Sequence, residues 1–340
     1  CMLVEETMIS GEERVIEIND VSVHFEAYDE LGMQGRKVIK AVDRVTIDIM
    51  RGEVLSLVGE SGSGKTTLAR AIVGLLKPTS GRLAVDGKQV DFRKKNDLRR
   101  LWRTTQMIFQ DPYSTFNPLT TVYDALITPL QKFGIVKDRE EARQTVAKAL
   151  TRVGLKPSEL EDKYPSQLSG GERQRAAIAR ALLVEPKVIV ADEPVSMLDV
   201  SLRAGILELL TRLNQDYSST IVFITHDLAV AQYLGDRIAV MYRGEIVELA
   251  GSKELTRSPL HPYTDLLLKS TPRLKGEQSW SEKQDIEFKS VDSAKFGGCK
   301  FYPRCSIGTE VCVQKRPHLR EVKKGHYVAC YLCEEYHKRS

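Results

Sequence analysis

The chain has 340 residues, 42% of them hydrophobic and 28% charged, with a formal net charge of +4; there is room for about two domains, and the balance is that of a globular protein rather than a disordered, collagenous or coiled-coil chain. No run approaches ~18 consecutive apolar residues, so no transmembrane helix is expected, and no basic-then-apolar leader points to export. Residues 1–274 carry 37 Lys and Arg against 37 Asp and Glu, so the excess lies in the last 66 residues, 13 basic against 9 acidic; a solvated surface accounts for it without a nucleic-acid partner.

Residues 1–13 are acidic and aperiodic and read as a loose leader. Residues 15–25 and 38–49 alternate apolar and polar and predict antiparallel strands joined through a glycine-containing loop at 28–37. Residues 54–58 form a short apolar strand running into a glycine-rich turn, and 66–76 predict a helix ended by Lys77-Pro78. A helical texture over 120–185 is broken near Lys156-Pro157 and Tyr164-Pro165. From Val188 the pattern becomes β/α alternation: strands at 188–191 and 220–225, helices at 201–216 and 228–234, and a hairpin of 238–242 with 245–249 around Arg243-Gly244. Buried parallel strands with crossover helices are the expected core. Residues 275–295 are polar and read as a linker, and five of the six cysteines follow in the last 42 residues.

Gly59-Glu60-Ser61-Gly62-Ser63-Gly64-Lys65-Thr66 matches the phosphate-loop pattern, with Thr67 next to it. Its glycines let backbone N–H groups turn toward a phosphate at a helix N-terminus, Lys65 reaches the β- and γ-phosphates, and the Thr66 hydroxyl suits Mg²⁺. A strand at 188–191 delivers Asp192 and Glu193 to its carboxyl end, where open α/β sheets bind ligands. Asp192 suits the Mg²⁺ shell, and Glu193 is placed to polarise a water.

Leu168-Ser169-Gly170-Gly171-Glu172-Arg173-Gln174-Arg175, 23 residues before Asp192 when counted from Ser169, is a second anion site by chemistry, a serine and two bare glycines at a helix start. The string resembles the signature of ATP-binding cassette (ABC) proteins, and the resemblance extends over about residues 15–272. It implies an α/β, P-loop NTPase fold of the ABC nucleotide-binding type: a RecA-like core with an antiparallel β subdomain and an α-helical subdomain. The implied division is an ATPase domain at 14–272 with its helical part at about 112–185, a linker at 273–295 and a small Cys-rich segment at 296–340. By the same resemblance Gln110 is the Q-loop glutamine, contacting Mg²⁺ and water, Asp199 belongs to the D-loop, and His226 is the switch histidine. Phe25 lies where an aromatic stacks on adenine, with Tyr28 as competitor. Two cassettes are expected to pair head to tail, each ATP held by one phosphate loop and the opposite Ser169–Gly171 segment, with Glu193 as general base.

Pro259-Leu260-His261-Pro262-Tyr263-Thr264 resembles a segment of oligopeptide and dipeptide importer ATPases. Cys299-x5-Cys305-x6-Cys312-x17-Cys330 lacks the short paired hooks of a zinc ribbon. It resembles the iron–sulfur tail of the same subfamily, which implies a [4Fe–4S] cluster on Cys299, Cys305, Cys312 and Cys330; zinc, free thiols and Cys333 as fourth ligand stay open. The resemblance implies two transmembrane permease subunits, a second ATPase subunit and an extracellular or periplasmic solute-binding protein as partners, at the cytoplasmic face of the membrane. Sugars or metal chelates are alternative cargoes. A nucleic-acid-associated cassette ATPase is disfavoured, because only about 100 residues separate the phosphate loop from the signature, too few for a long coiled coil.

Overall fold

The structure, a computed structural model, describes residues 13–27, 37–270 and 297–333. The leader up to residue 12, the loop with Tyr28, the 273–295 linker and residues beyond 333 lie outside the described residues.

In chain order the elements are β1 (Arg14–Ala27), β2 (Lys37–Met50), β3 (Val54–Val58), α1 (Lys65–Ile72), β4 (Ser80–Val85), β5 (Lys88–Gln89), α2 (Lys95–Thr104), β6 (Thr105–Ile108), α3 (Val122–Phe133), α4 (Arg139–Arg152), α5 (Gly170–Leu182), β7 (Val188–Asp192), α6 (Val200–Tyr217), β8 (Thr220–Thr225), α7 (Leu228–Leu234), β9 (Arg237–Tyr242), β10 (Glu245–Gly251), α8 (Ser252–Arg257), α9 (Pro262–Ser270), α10 (Glu310–Gln314), β11 (Arg320–Lys323) and β12 (His326–Val328). Helix α1 stops earlier than the 66–76 pattern predicts, because Val73 caps it and Gly74 turns into the left-handed region at φ 72°. Helix α4 ends at Arg152, capped by Val153 with Gly154 left-handed at φ 75°, and short 3-10 turns then open at Pro157 and Pro165, first positions where a missing N–H costs no bond.

Strands β2-β1-β4-β5 form one sheet, and β11-β12-β10-β9-β3-β8-β7-β6 form the other. In the second, β9, β3, β8, β7 and β6 run parallel. Strands β3, β7 and β8 are buried at every position, because helices and the smaller sheet cover both faces, which is why they read as unbroken apolar runs rather than alternating ones. One core joins that sheet to α3, α4, α5 and α6, and a second joins its other face to α1 and the antiparallel sheet.

The Cys-bearing tail joins the main sheet. Strand β12 pairs antiparallel with β10, through Glu248↔Val328 and Leu249↔Tyr327, and β11 pairs with β12. Lys300 and Arg316 reach Asp43 at 2.9 and 3.1 Å and Glu245 at 2.9 and 3.0 Å. The segment around His261 fills the seam. Buried Glu248 accepts from the backbone N–H groups of Leu260 (2.7 Å) and His261 (3.0 Å) and bonds His326 Nε2 at 2.7 Å. Burial pulls the His261 imidazole down to about 4 against the attraction of Glu248, so the ring is neutral and its Nδ1 accepts from the Tyr263 N–H at 3.1 Å. Tyr263 then packs on Tyr242 and Phe301, with ring centroids 4.6 and 5.5 Å away.

Candidate functional site

Four neighbouring parallel strands, β3, β8, β7 and β6, end along one edge of the sheet, the edge where such sheets bind ligands. The phosphate loop follows β3, His226 follows β8, Asp192 and Glu193 finish β7, and Gln110 lies two residues beyond β6. Residues from four separate stretches of chain are thus gathered by strand order alone.

The loop is built tightly. Gly64 precedes α1 at φ 105°, and a Cβ there would overlap the Ala41 carbonyl oxygen; one on Gly59 would overlap the Met241 carbonyl oxygen. Ser61 and Gly62 are exposed at the mouth, Ser63 and Lys65 are buried, and Thr66 and Thr67 are half-buried at the start of α1. The Lys65 amine donates to the carbonyl oxygens of Gly59 (2.8 Å) and Glu60 (2.9 Å). Burial pushes its pKa down, opposed by the attraction of Glu193, Asp192 and Glu60.

The Thr66 hydroxyl donates to Asp192 Oδ1 at 3.1 Å. Burial raises the Asp192 carboxyl and Glu193 adds to it, while the Thr66 hydroxyl, Arg70 and Lys65 pull the other way. This pair offers hard oxygen donors of the kind Mg²⁺ takes. Glu193 Oε2 accepts from Gln110 Nε2 at 3.2 Å and lies 3.4 Å from His226 Nδ1. The Glu193 backbone is left-handed, φ 45°, and its N–H donates to the Ile224 carbonyl at 3.0 Å. A carboxylate flanked by an amide and an imidazole is able to hold a water and take its proton.

Ser169 is exposed and caps α5. Its hydroxyl accepts from the Glu172 N–H at 3.3 Å and donates to Glu172 Oε2 at 2.8 Å, and Gly170 and Gly171 form the first turn. Among the described residues, no hydrogen bond or ion pair joins residues 168–175 to residues 59–67. Asp199 stands at the start of α6 without a side-chain cap bond. Phe25 is not a core aromatic: it is 42% exposed, beside exposed Val38 and Ile39.

In the tail, Cys299, Cys305, Cys312 and Cys330 line one small cavity together with His261, Phe301 and Tyr302; Cys333 is not among its lining residues. Cys333 lies in an apolar cluster with Leu260 and Val328 against which Cys330 also packs, with Arg320 Nη2 3.6 Å from the Cys333 Sγ. Burial pushes the Cys299 thiol up to about 11 and the Cys330 thiol up to about 12. Among the described residues no group of three or more His, Cys, Asp or Glu is arranged to hold a metal ion as it stands, so the thiols surround a common space without being drawn onto one centre.

Sequence reasoning missed Arg304 and named Tyr263 only within the 259–264 segment, not at this site; both bond Glu60 inside the phosphate loop. Glu60 itself was a signal, since an acid in a loop built for polyphosphate calls for a partner.

Residues 42–196 match the family described as ABC transporter, and residues 247–312 the one described as Oligopeptide/dipeptide transporter, C-terminal region. The chain is 38% identical over 328 residues to the oligopeptide transport ATP-binding protein AppF of Bacillus subtilis (strain 168), with 95% of this chain and 98% of that protein covered. It is 41% identical over 324 residues to the oligopeptide transport ATP-binding protein OppF of Escherichia coli (strain K12), with 94% and 96% covered. Among solved structures, the ATP-binding cassette MJ0796 in a dimeric post-hydrolysis state bound to ADP and Pi superposes with a TM-score of 0.62 at 31% identity, covering 70% of this chain and 98% of that one. CbiO1 from Clostridium perfringens, part of an ABC transporter complex, gives 0.61 at 30% identity, covering 72% and 92%. No helix among the described residues is long and apolar enough to cross a membrane. The chain belongs to the ATP-binding cassette family, as an ATPase subunit of the oligopeptide/dipeptide importer type.

Proposed function

We propose that this chain drives peptide uptake from the cytoplasmic face of a membrane, paired with a second cassette subunit and docked on two transmembrane permease subunits fed by a solute-binding protein. The peptide cargo is supported by the names of the relatives above. The observation that carries the ATPase reading is the meeting of Gln110, Glu193 and His226 around one carboxylate oxygen, beside Lys65, Thr66 and Asp192.

In this reading the loop from Gly59 to Thr67 cradles the ATP phosphates, and Phe25 stacks on the base. Thr66, Asp192 and the free amide oxygen of Gln110 suit Mg²⁺, which when bound supplies positive charge at the β- and γ-phosphates. Glu193 takes the proton of the attacking water, His226 and Gln110 orient that carboxylate, and Lys65 stabilises charge developing on the transferred phosphoryl group. Ser169, Gly170, Gly171 and Asp199 face the partner cassette's nucleotide. Support for this comes from the exposure of Ser169 without a bond to its own phosphate loop, and from the dimeric form of the similar MJ0796 cassette. The working division is an ATPase domain at 14–272, with its helical part at about 112–185, and a Cys-rich segment at 296–340.

The tail is read as the seat of a [4Fe–4S] cluster. The donor set fits: four thiols line one cavity with apolar neighbours, and soft thiolates suit iron–sulfur centres. Cys330 rather than Cys333 is the fourth ligand, because it lines that cavity. When bound, such a cluster would cross-link the segments bearing Cys299, Cys305, Cys312 and Cys330.

The deciding experiment is Glu193→Gln in the assembled transporter. A positioned general base contributes roughly 10²–10⁴-fold, so turnover should fall at least about a hundredfold while ATP binding persists. A loss of less than about tenfold would sink the assignment.

A further inference from the structure

Glu60, the second residue of the phosphate loop, is gripped from two sides. Its backbone N–H donates to Tyr263 Oη at 2.9 Å. Its carboxylate accepts both arms of the Arg304 guanidinium, Nη1 to Oε2 at 2.8 Å and Nη2 to Oε1 at 2.9 Å. The two-armed geometry fixes direction as well as charge. Arg304 is itself anchored. It ends a tight turn in which the Tyr302 N–H donates to the Cys299 carbonyl (2.9 Å) and the Cys305 N–H to the Tyr302 carbonyl (3.0 Å). Phe301 of that turn is buried against Tyr242 and Tyr263. The Arg304 side chain is 19% exposed.

We propose that the tail completes the nucleotide site: Arg304 is a positioning residue that neutralises Glu60 and keeps its carboxylate off the loop mouth, while Tyr263 fixes the backbone of the same residue. The inference rests on the reading of residues 59–66 as the ATP phosphate loop. The physical need is plain. An uncompensated carboxylate beside a polyphosphate repels it, and a freed Glu60 would also compete for the Lys65 amine, whose electrostatic neighbours already include Glu60.

The test is ATP affinity of the full-length chain, measured by titration with and without added salt. Arg304→Ala should weaken ATP binding roughly three- to tenfold, with the loss shrinking as salt rises, because exposed charges are screened beyond about 8 Å at physiological ionic strength. Glu60→Gln in the Arg304→Ala background should restore most of the affinity, since the repelling charge is gone. A purely structural role for Arg304 would leave the double variant as weak as the single one and salt-insensitive, and either result overturns the proposal. So does unchanged affinity in Arg304→Ala. Lys65→Ala separates the two levels of the argument. If it abolishes ATP binding while Arg304→Ala does nothing, only this inference fails; if it binds ATP normally, the phosphate-loop reading fails with it.

Discussion

Glu193 occupies the left-handed region at φ 45°, a conformation that disfavours a residue with a Cβ by about 1 kcal/mol. The conformation turns the carboxylate from the end of β7 toward Gln110 and His226 instead of along the strand. The residue next to it, Asp192, is already raised by burial and by Glu193, so two acids are held close at the same edge. Glycine at position 193 should therefore relieve both backbone strain and repulsion, and alanine only the repulsion. Glu193→Gly should end hydrolysis yet melt about 2 °C above Glu193→Ala, the shift that ~1 kcal/mol produces in a domain of this size. Equal melting temperatures for the two variants would show that the backbone at this position carries no strain.

Helix α5 shows how one short string serves both stability and chemistry. The Ser169 hydroxyl and Glu172 carboxylate cap each other's backbone, and the Ser169 backbone and hydroxyl bonds hold the Glu172 carboxyl below its ordinary value against the opposing effect of burial. A depressed carboxyl contributes stability above its unfolded value and loses it as pH falls through the folded one, so this cap weakens only in acid. Ser169→Ala should lower stability by about 1 kcal/mol. Ser169→Arg should leave ATP affinity of the isolated chain unchanged but end hydrolysis by the paired cassettes. If affinity fell as far as it does for Lys65→Ala, the head-to-tail reading would be wrong. At this scale much of the fold was legible beforehand. Strands β3, β7 and β8 are short apolar runs, and the loop, signature and strand-end acids are local strings whose chemistry is written in consecutive residues. The early end of α1 was not read, although Gly74, left-handed just past the Val73 cap, is a helix-stop signal; the apolar spacing through Leu76 outweighed it. Strands β11 and β12 were also missed, since neither has an alternating apolar pattern long enough to mark it. The Arg304–Glu60 pair spans 244 residues of sequence, and nothing local in either stretch names the other.

At the scale of the whole molecule, the tail is tied to the cassette by the β10–β12 ladder, the His326–Glu248 bond, the Tyr242–Tyr263–Phe301 cluster, the Arg304–Glu60 pair and the ion group at Asp43. Burial alone would raise Asp43, but Lys300 and Arg316 bring it down to about 2. Its contribution is therefore complete above the unfolded carboxyl value and fades only as pH falls toward 2. At neutral pH, Asp43→Asn should lower stability by on the order of 2 kcal/mol and speed amide hydrogen exchange in β11 and β12. Unaltered exchange there would show that the ladder and the aromatic cluster hold the tail by themselves. The Cys299–Cys305 turn carries Arg304 onto Glu60, which in the reading proposed above links the tail's cysteines to ATP binding. Anaerobically purified protein should be brown, with about four irons and four sulfides per chain if the centre is [4Fe–4S]. Cys305→Ser should lose that iron, loosen the turn, and weaken ATP binding in the same direction as Arg304→Ala, whereas Cys333→Ser should retain both iron and affinity. One zinc and no sulfide would show the metal to be wrong, and iron lost from Cys333→Ser but kept in Cys330→Ser would show the ligand set to be wrong. Iron lost from Cys305→Ser with ATP affinity intact would mean that the ladder and the aromatic cluster keep Arg304 on Glu60 without help from the cysteines.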